Sequence, residues 1–215
     1  MLLEFDLVLM GVNIVHRIFI SYHHHGDQAY KDSLLRMNLD TPVFVDGSVD
    51  TGDISDDLPS ESIRIKIRDE YLRESSVTIL LVGLQTKRRK HVDWEVFSSM
   101  IDGKKNKRSG IIVITLPPTN CTYYTAAHEG EKSKLYPENS SWVNIDDRSE
   151  YERRYPYIPD RIIDNLLKPG VKISITTWDR VFRHPDILEF LIESAYRDRN
   201  SFNYDTSREM RRNNS

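Results

Sequence analysis

The sequence predicts an α/β protein built on an open parallel sheet with helices on both faces. Three observations carry that reading. Short β-branched runs alternate along the chain with segments of helical periodicity. Two of those runs, Ser76 to Gly83 and Ser109 to Leu116, are apolar at almost every position, as strands buried on both faces are. No proline- or glycine/serine-rich linker divides the 215 residues into separate units.

The elements follow in order. Val15 to Tyr22 is a β-branched and aromatic strand, and Asp27 to Met37 then places Tyr30, Leu34, Leu35 and Met37 at helical spacing. Thr41 to Val45 reads as a second strand, ended by Asp46-Gly47 and an acidic, serine-containing loop. A helix from Ser60 aligns Ile63, Ile67 and Tyr71 on one stripe and leaves Arg64, Lys66, Arg68 and Glu70 for water. Ser76 to Gly83 is the third strand, and Val92 to Asp102 a helix with Val92, Val96 and Met100 on one face. Ser109 to Leu116 is the fourth strand, stopped by Pro117-Pro118. Lys172 to Thr177 is the fifth, followed by a helix over Pro185 to Tyr196 that turns Ile187, Leu188, Leu191, Ile192 and Ala195 inward. An insert of about 117–169 separates the last two strands; a structureless loop of that size is improbable, so it is expected to hold a helix around Asp160 to Leu167. The domain is therefore expected over 15–199, with an extension at 1–14, where Met1 or Met10 is the start, and a frayed tail over 200–215 that has almost no apolar residues.

Composition narrows the function classes. Thirty Lys and Arg against 33 Asp and Glu leave a net charge of −3, without the global positive field of a general nucleic-acid binder. The apolar stretch Met1 to Val12 carries Glu4 and Asp6 and no basic flank, so neither a signal peptide nor a membrane span is expected. A single cysteine, Cys121, excludes an intramolecular disulfide and a thiolate zinc cage, and fits a reducing cytoplasm.

In a doubly wound sheet, ligands sit at the carboxyl ends of the strands. The candidates there are Ser21-Tyr22-His23-His24-His25, Val45-Asp46-Gly47, Gly83 to Thr86 and the helix that follows. Neither GxGxxG nor GxxxxGK[ST] occurs, which argues against ordinary dinucleotide-fold and P-loop readings. The three consecutive histidines point in different directions and do not converge on one ion, and the acidic stretch Asp46 to Glu61 lacks the sixth-position glycine and twelfth-position glutamate of a calcium loop. No metal is expected. Lys87-Arg88-Arg89-Lys90 lies beside the ligand edge, where it can neutralise a pyrophosphate. Glu95 falls early in a helix that starts at that edge, where the helix dipole favours its ionised form, and Trp94 offers a flat wall for a nucleobase or nicotinamide.

These residues resemble a known family. Arg17 to Tyr22 is similar to the first-strand box of Toll/interleukin-1 receptor (TIR) domains. Ser76 to Gly83, Gln85-Thr86, Arg88-Arg89 and His91 to Glu95 resemble the third-strand-to-helix region of the bacterial TIR-like family in the B component of Thoeris antiphage systems. The resemblance spans about Val15 to Leu116, and the insert from Pro117 and the N-terminal extension have no counterpart in it. It implies a flavodoxin-like fold of five parallel strands in the order 2-1-3-4-5. It also implies cleavage of NAD, as a substrate and without a resident cofactor, to nicotinamide and an ADP-ribose-derived, cyclic signalling nucleotide that activates a separate effector protein. By the same resemblance Glu95 is the catalytic residue. Ser21, Tyr22, His23, Asp46, Gln85, Thr86 and Trp94 are expected to contact substrate, the loop opened by Asp46 gates the site, and copies of the chain associate through TIR-like surfaces into a homo-oligomer. A catalytically silent scaffold of the same fold is the alternative.

Overall fold

The computed structural model describes residues 15–47, 59–72, 74–103 and 107–214. The extension 1–14 and the acidic residues Asp50, Asp53, Asp56 and Asp57 lie outside the described residues. The sheet has five strands, all parallel and ordered β2-β1-β3-β4-β5: β1 Arg17–Ser21, β2 Val45–Asp46, β3 Val77–Val82, β4 Gly110–Thr115 and β5 Ser174–Thr177. β3 and β4 are buried along their whole length, as their continuous apolar runs require of central strands.

Side chains alternate across this sheet. Ile18, Ile20, Ile79, Leu81, Ile112 and Ile114 face one layer, built from α1 (His24–Asp40) and α8 (Pro185–Asp198). Leu80, Val82, Ile111 and Val113 face the other, which includes α3 (Lys90–Ser99) and α6 (Asp160–Leu167), and Phe19 packs on that side against Ile63 of α2 (Ser60–Lys66) and Trp94. A π-helical turn, Ile67–Tyr71, extends α2.

Gly110 opens β4 under α8: a Cβ there would stand 2.3 Å from the backbone oxygen of Ala195. Because that oxygen belongs to helix backbone, α8 itself has to move. Gly110→Ala is therefore expected to destabilise the fold by about 1–3 kcal/mol, measurable as a lowered urea midpoint, and an unchanged midpoint would contradict this packing.

Three boundaries differ from expectation. α1 begins at His24, so two of the three histidines lie in a helical first turn rather than in a loop. β2 has two residues, and α3 begins at Lys90, two residues early. The insert holds α4 (Glu131–Leu135) and α5 (Arg148–Arg154) besides α6, whose bounds are as expected, and its Thr125 bridges antiparallel to Ile175 of β5. α7 (Trp178–Phe182) connects β5 to α8.

Residues 200–214, expected to fray, are anchored by apolar and polar contacts: Tyr204 lies in the core, Phe202 packs beside it and Met210 packs against the cluster of Phe19 and Trp94. Asn165 exchanges hydrogen bonds with the backbone of Asp205, Arg161 donates to the carbonyls of Arg208 and Glu209, and buried Tyr204 donates to Ser109 O at 3.1 Å. The tail's few apolar residues are thus used in packing, and buried side chains satisfy part of its backbone.

Candidate functional site

The strand order reverses between β1 and β3, and a doubly wound sheet opens its crevice at such a switch point. Ser21 and Glu95 meet there. Ser21 ends β1 and faces the α3 side, one alternation from Phe19. On α3 the core-facing stripe runs Val92, Glu95 with Val96, and Ser99, the last bonded to Thr78 of β3 at 2.8 Å. Glu95 thus occupies a position that the stripe would otherwise give to an apolar residue. Its Oε2 accepts a hydrogen bond from the Ser21 hydroxyl at 2.7 Å, with Ser21 fully buried and Glu95 only 5% exposed.

Burial decides the charge state. It pushes the Glu95 carboxyl up to about 7, against the Ser21 hydrogen bond and the nearby positive charge of Lys31, both of which favour the carboxylate. The helix dipole does not hold it ionised, as the sequence reading expected, because Glu95 is the sixth residue of α3 and the dipole effect fades beyond the first turn. Ser21→Ala removes a donor to the carboxylate. It is expected to raise the pH midpoint of Glu95 by about one pH unit, read by NMR titration of the side-chain carboxyl carbon; an unchanged or lower midpoint would contradict the pairing.

Other members come from both sides of the crevice. Asp27, in the first turn of α1, is buried against Gly83 at the end of β3, where a Cβ would stand 2.2 Å from its Oδ1. Burial raises the Asp27 carboxyl, and its Oδ2 has no hydrogen-bond partner among the described residues. His23 is held below the usual imidazole range by burial and by the charge of Arg89. Arg89 precedes α3, and its Nε is buried without a hydrogen-bond partner among the described residues. From the basic run Lys87 to Lys90, Lys87 pairs with Asp160 at 2.9 Å, Lys90 packs 5.5 Å from the Trp94 ring, and Arg89 neighbours His23.

Several expected contacts lie elsewhere. Tyr22 turns to the opposite face, where it stacks on His24 at 4.4 Å and donates to Gln28 at 2.5 Å. Thr86 is fully buried and accepts the Gly83 N–H at 2.9 Å, so it staples the β3 exit rather than facing solvent. Gln85 is exposed on the same turn. Asp46 is exposed on β2, and the segment 48–58 that follows it, expected to gate the site, lies outside the described residues. Trp94 is not a wall of the crevice: one residue from Glu95 on a helix, it turns away into the cluster with Phe19, Ile63 and Ile67, and its indole donates to Arg211 O at 2.7 Å. Asp27 and Lys31 were not read from the sequence, whereas Arg89 belongs to the basic run expected at the ligand edge. The signal for Asp27 was a charged residue one helical turn before the inward face of α1, opposite the glycine that ends β3.

Among the described residues no group of three or more His, Cys, Asp or Glu is placed to hold a metal ion, and no helix is long and apolar enough to cross a membrane.

A parallel sheet in this order, with a buried serine–glutamate pair at its switch point, defines a TIR-like α/β domain. Residues 19–120, a little under half of the chain, match the family model described as Thoeris protein ThsB, TIR-like domain, so this segment is similar to that family. The match runs from β1 into the turn after β4, so the insert, β5 and α8 lie beyond it. Comparison with the curated proteins and with the solved structures gives no match.

Proposed function

We propose that the domain cleaves NAD at the nicotinamide–ribose bond, with Glu95 as the catalytic carboxylate, and releases an ADP-ribose-derived nucleotide that signals to a separate effector. The Ser21–Glu95 pair at the switch point carries this reading. Nicotinamide leaves without protonation, because its ring nitrogen begins with a positive charge, so no acid is required. What the reaction needs is negative charge beside the oxocarbenium-like ribose, in a place sheltered from water. A carboxylate that burial has already made costly to ionise gains most from a developing cation, since low dielectric strengthens their attraction. Arg89, whose buried Nε has no hydrogen-bond partner among the described residues, supplies a cation for the pyrophosphate on the same edge. Whether water or a hydroxyl or ring nitrogen of the substrate attacks decides between a linear and a cyclic product.

Glu95 is nearly sealed as the chain stands. Binding must therefore open the crevice, and basal activity of the isolated chain is expected to be low until self-association or a trigger completes the site. The test is nicotinamide release from NAD by the purified full chain, dilute and oligomeric, and in phage-infected lysate, with wild type and Glu95→Gln compared. Equal release by both sinks the assignment, and no release by either while a partner protein still binds favours a non-catalytic scaffold.

A further inference from the structure

Residues 122–173 line a second cavity of about 600 Å³, entirely beyond the family match and sharing no residue with the Glu95 crevice. The extended stretch Thr122 to Ala127 forms one wall and Ser141 to Ile145 another, and its size falls within the range of small-molecule sites. Its chemistry is selective. In a chain with 33 acidic residues, none lines this cavity, whereas Lys132 and Arg154 do. Arg154 is neutralised by Glu150 at 2.6 Å. Lys132 has no carboxylate partner among the described residues, and its ammonium stands 4.9 Å from the Trp142 ring centre. Trp142 packs edge-on to Tyr124 at 5.8 Å, and Tyr124 stacks on Tyr136 at 3.7 Å, giving a rigid aromatic platform. Thr122, Ser141 and Asn144 add hydroxyl and amide groups to the lining.

A cluster of aromatic rings set edge to face, a cation with no carboxylate partner among the described residues and neutral polar groups together match a planar base, an anion and a sugar. We propose that the insert forms a nucleotide-binding site separate from the Glu95 crevice, with the base against the Trp142 and Tyr124 platform and the phosphate on Lys132. The proposal does not depend on NAD cleavage.

Isothermal titration of the full chain with AMP tests it, with adenosine and inorganic phosphate as the arms that lack the anion or the ring. AMP is expected to saturate, and each fragment to bind at least about tenfold more weakly. Lys132→Glu, and less severely Lys132→Gln, should weaken AMP at least about tenfold while leaving adenosine unchanged. Lys132 is exposed, so both variants are expected to fold. Trp142→Ala should weaken AMP and adenosine by the same factor, and Glu95→Gln should change neither. Failure of AMP to saturate by about 5 mM, equal affinity for AMP and adenosine, indifference to Lys132→Glu, or loss of binding in Glu95→Gln would each overturn it.

Discussion

Glu95→Gln is expected to reduce nicotinamide release by at least about 100-fold, the scale on which removal of one preorganised electrostatic group slows an enzyme. The amide keeps the shape and can still accept the Ser21 hydrogen bond, so a loss of activity reports charge and not packing. The same substitution makes a second expectation, opposite in sign. Glu95 titrates near 7 in the folded chain against an ordinary 4.5, because burial penalises its charged form. Below pH 4.5 both folded and unfolded states hold the proton, and the group costs nothing. As pH rises through 7, the unfolded chain has released its proton while the folded chain must either retain it or bury a carboxylate. Stability falls over that window by roughly 3 kcal/mol. Glu95→Gln lacks this penalty, so it is expected to unfold at higher urea than wild type at pH 8.5 and at about the same urea at pH 4. A variant both inactive and more stable at alkaline pH is the signature of a functional group held at the expense of the fold. Equal midpoints at pH 8.5 would show that Glu95 is solvated.

Arg161→Ala is expected to be the most damaging single change to stability. The Arg161 side chain is fully buried, with Nε and Nη2 on the two oxygens of Asp93 at 2.9 and 3.1 Å. It also holds the carbonyls of Arg208 and Glu209 at 2.8 and 3.0 Å, while Asp93 accepts the backbone N–H of Arg211 at 2.8 Å. Removing the guanidinium leaves the buried Asp93 carboxylate without its charge partner, held only by the Arg211 N–H, and takes the donors from two carbonyls, a loss of about 3–5 kcal/mol, or roughly 10 °C in melting temperature for a domain of this size. The tail should detach at the same time, which amide exchange over 204–214 would show as lost protection. Asp93 precedes Trp94 and Glu95 on α3, so this clasp also braces the helix that carries the candidate catalytic group. Retained tail protection in Arg161→Ala would contradict it.

The parts legible in the sequence were those set by local pattern. β3 and β4 announce themselves by unbroken apolar runs, α6 by the improbability of a structureless insert of that length, and Ser21 and Glu95 by lying at the ligand edge of the sheet. The rest depends on partners far apart in the chain. Arg161 and Asp93 carry no local signal of their pairing until the fold places them 2.9 Å apart, and the tail reads as loose because its few apolar residues and its hydrogen-bond partners meet elements far away in the chain. Trp94 neighbours Glu95 in sequence, but one residue along a helix turns a side chain by about 100°, into the core, and Thr86 is turned inward by its bond to the Gly83 N–H at the β3 exit. The titration of Glu95 is hidden for a related reason: its place in the helix is visible in the sequence, whereas the burial that raises its carboxyl is not.

The most direct measurement is the pH dependence of kcat/KM for nicotinamide release from NAD by the assembled wild-type protein. It should rise with a midpoint near 7 and level off above about pH 8, with the midpoint displaced upward in Ser21→Ala and the rise absent from the residual activity of Glu95→Gln. A flat profile between pH 5.5 and 8.5, or the same rise retained in Glu95→Gln, would contradict the assignment of the chemistry to this buried carboxylate.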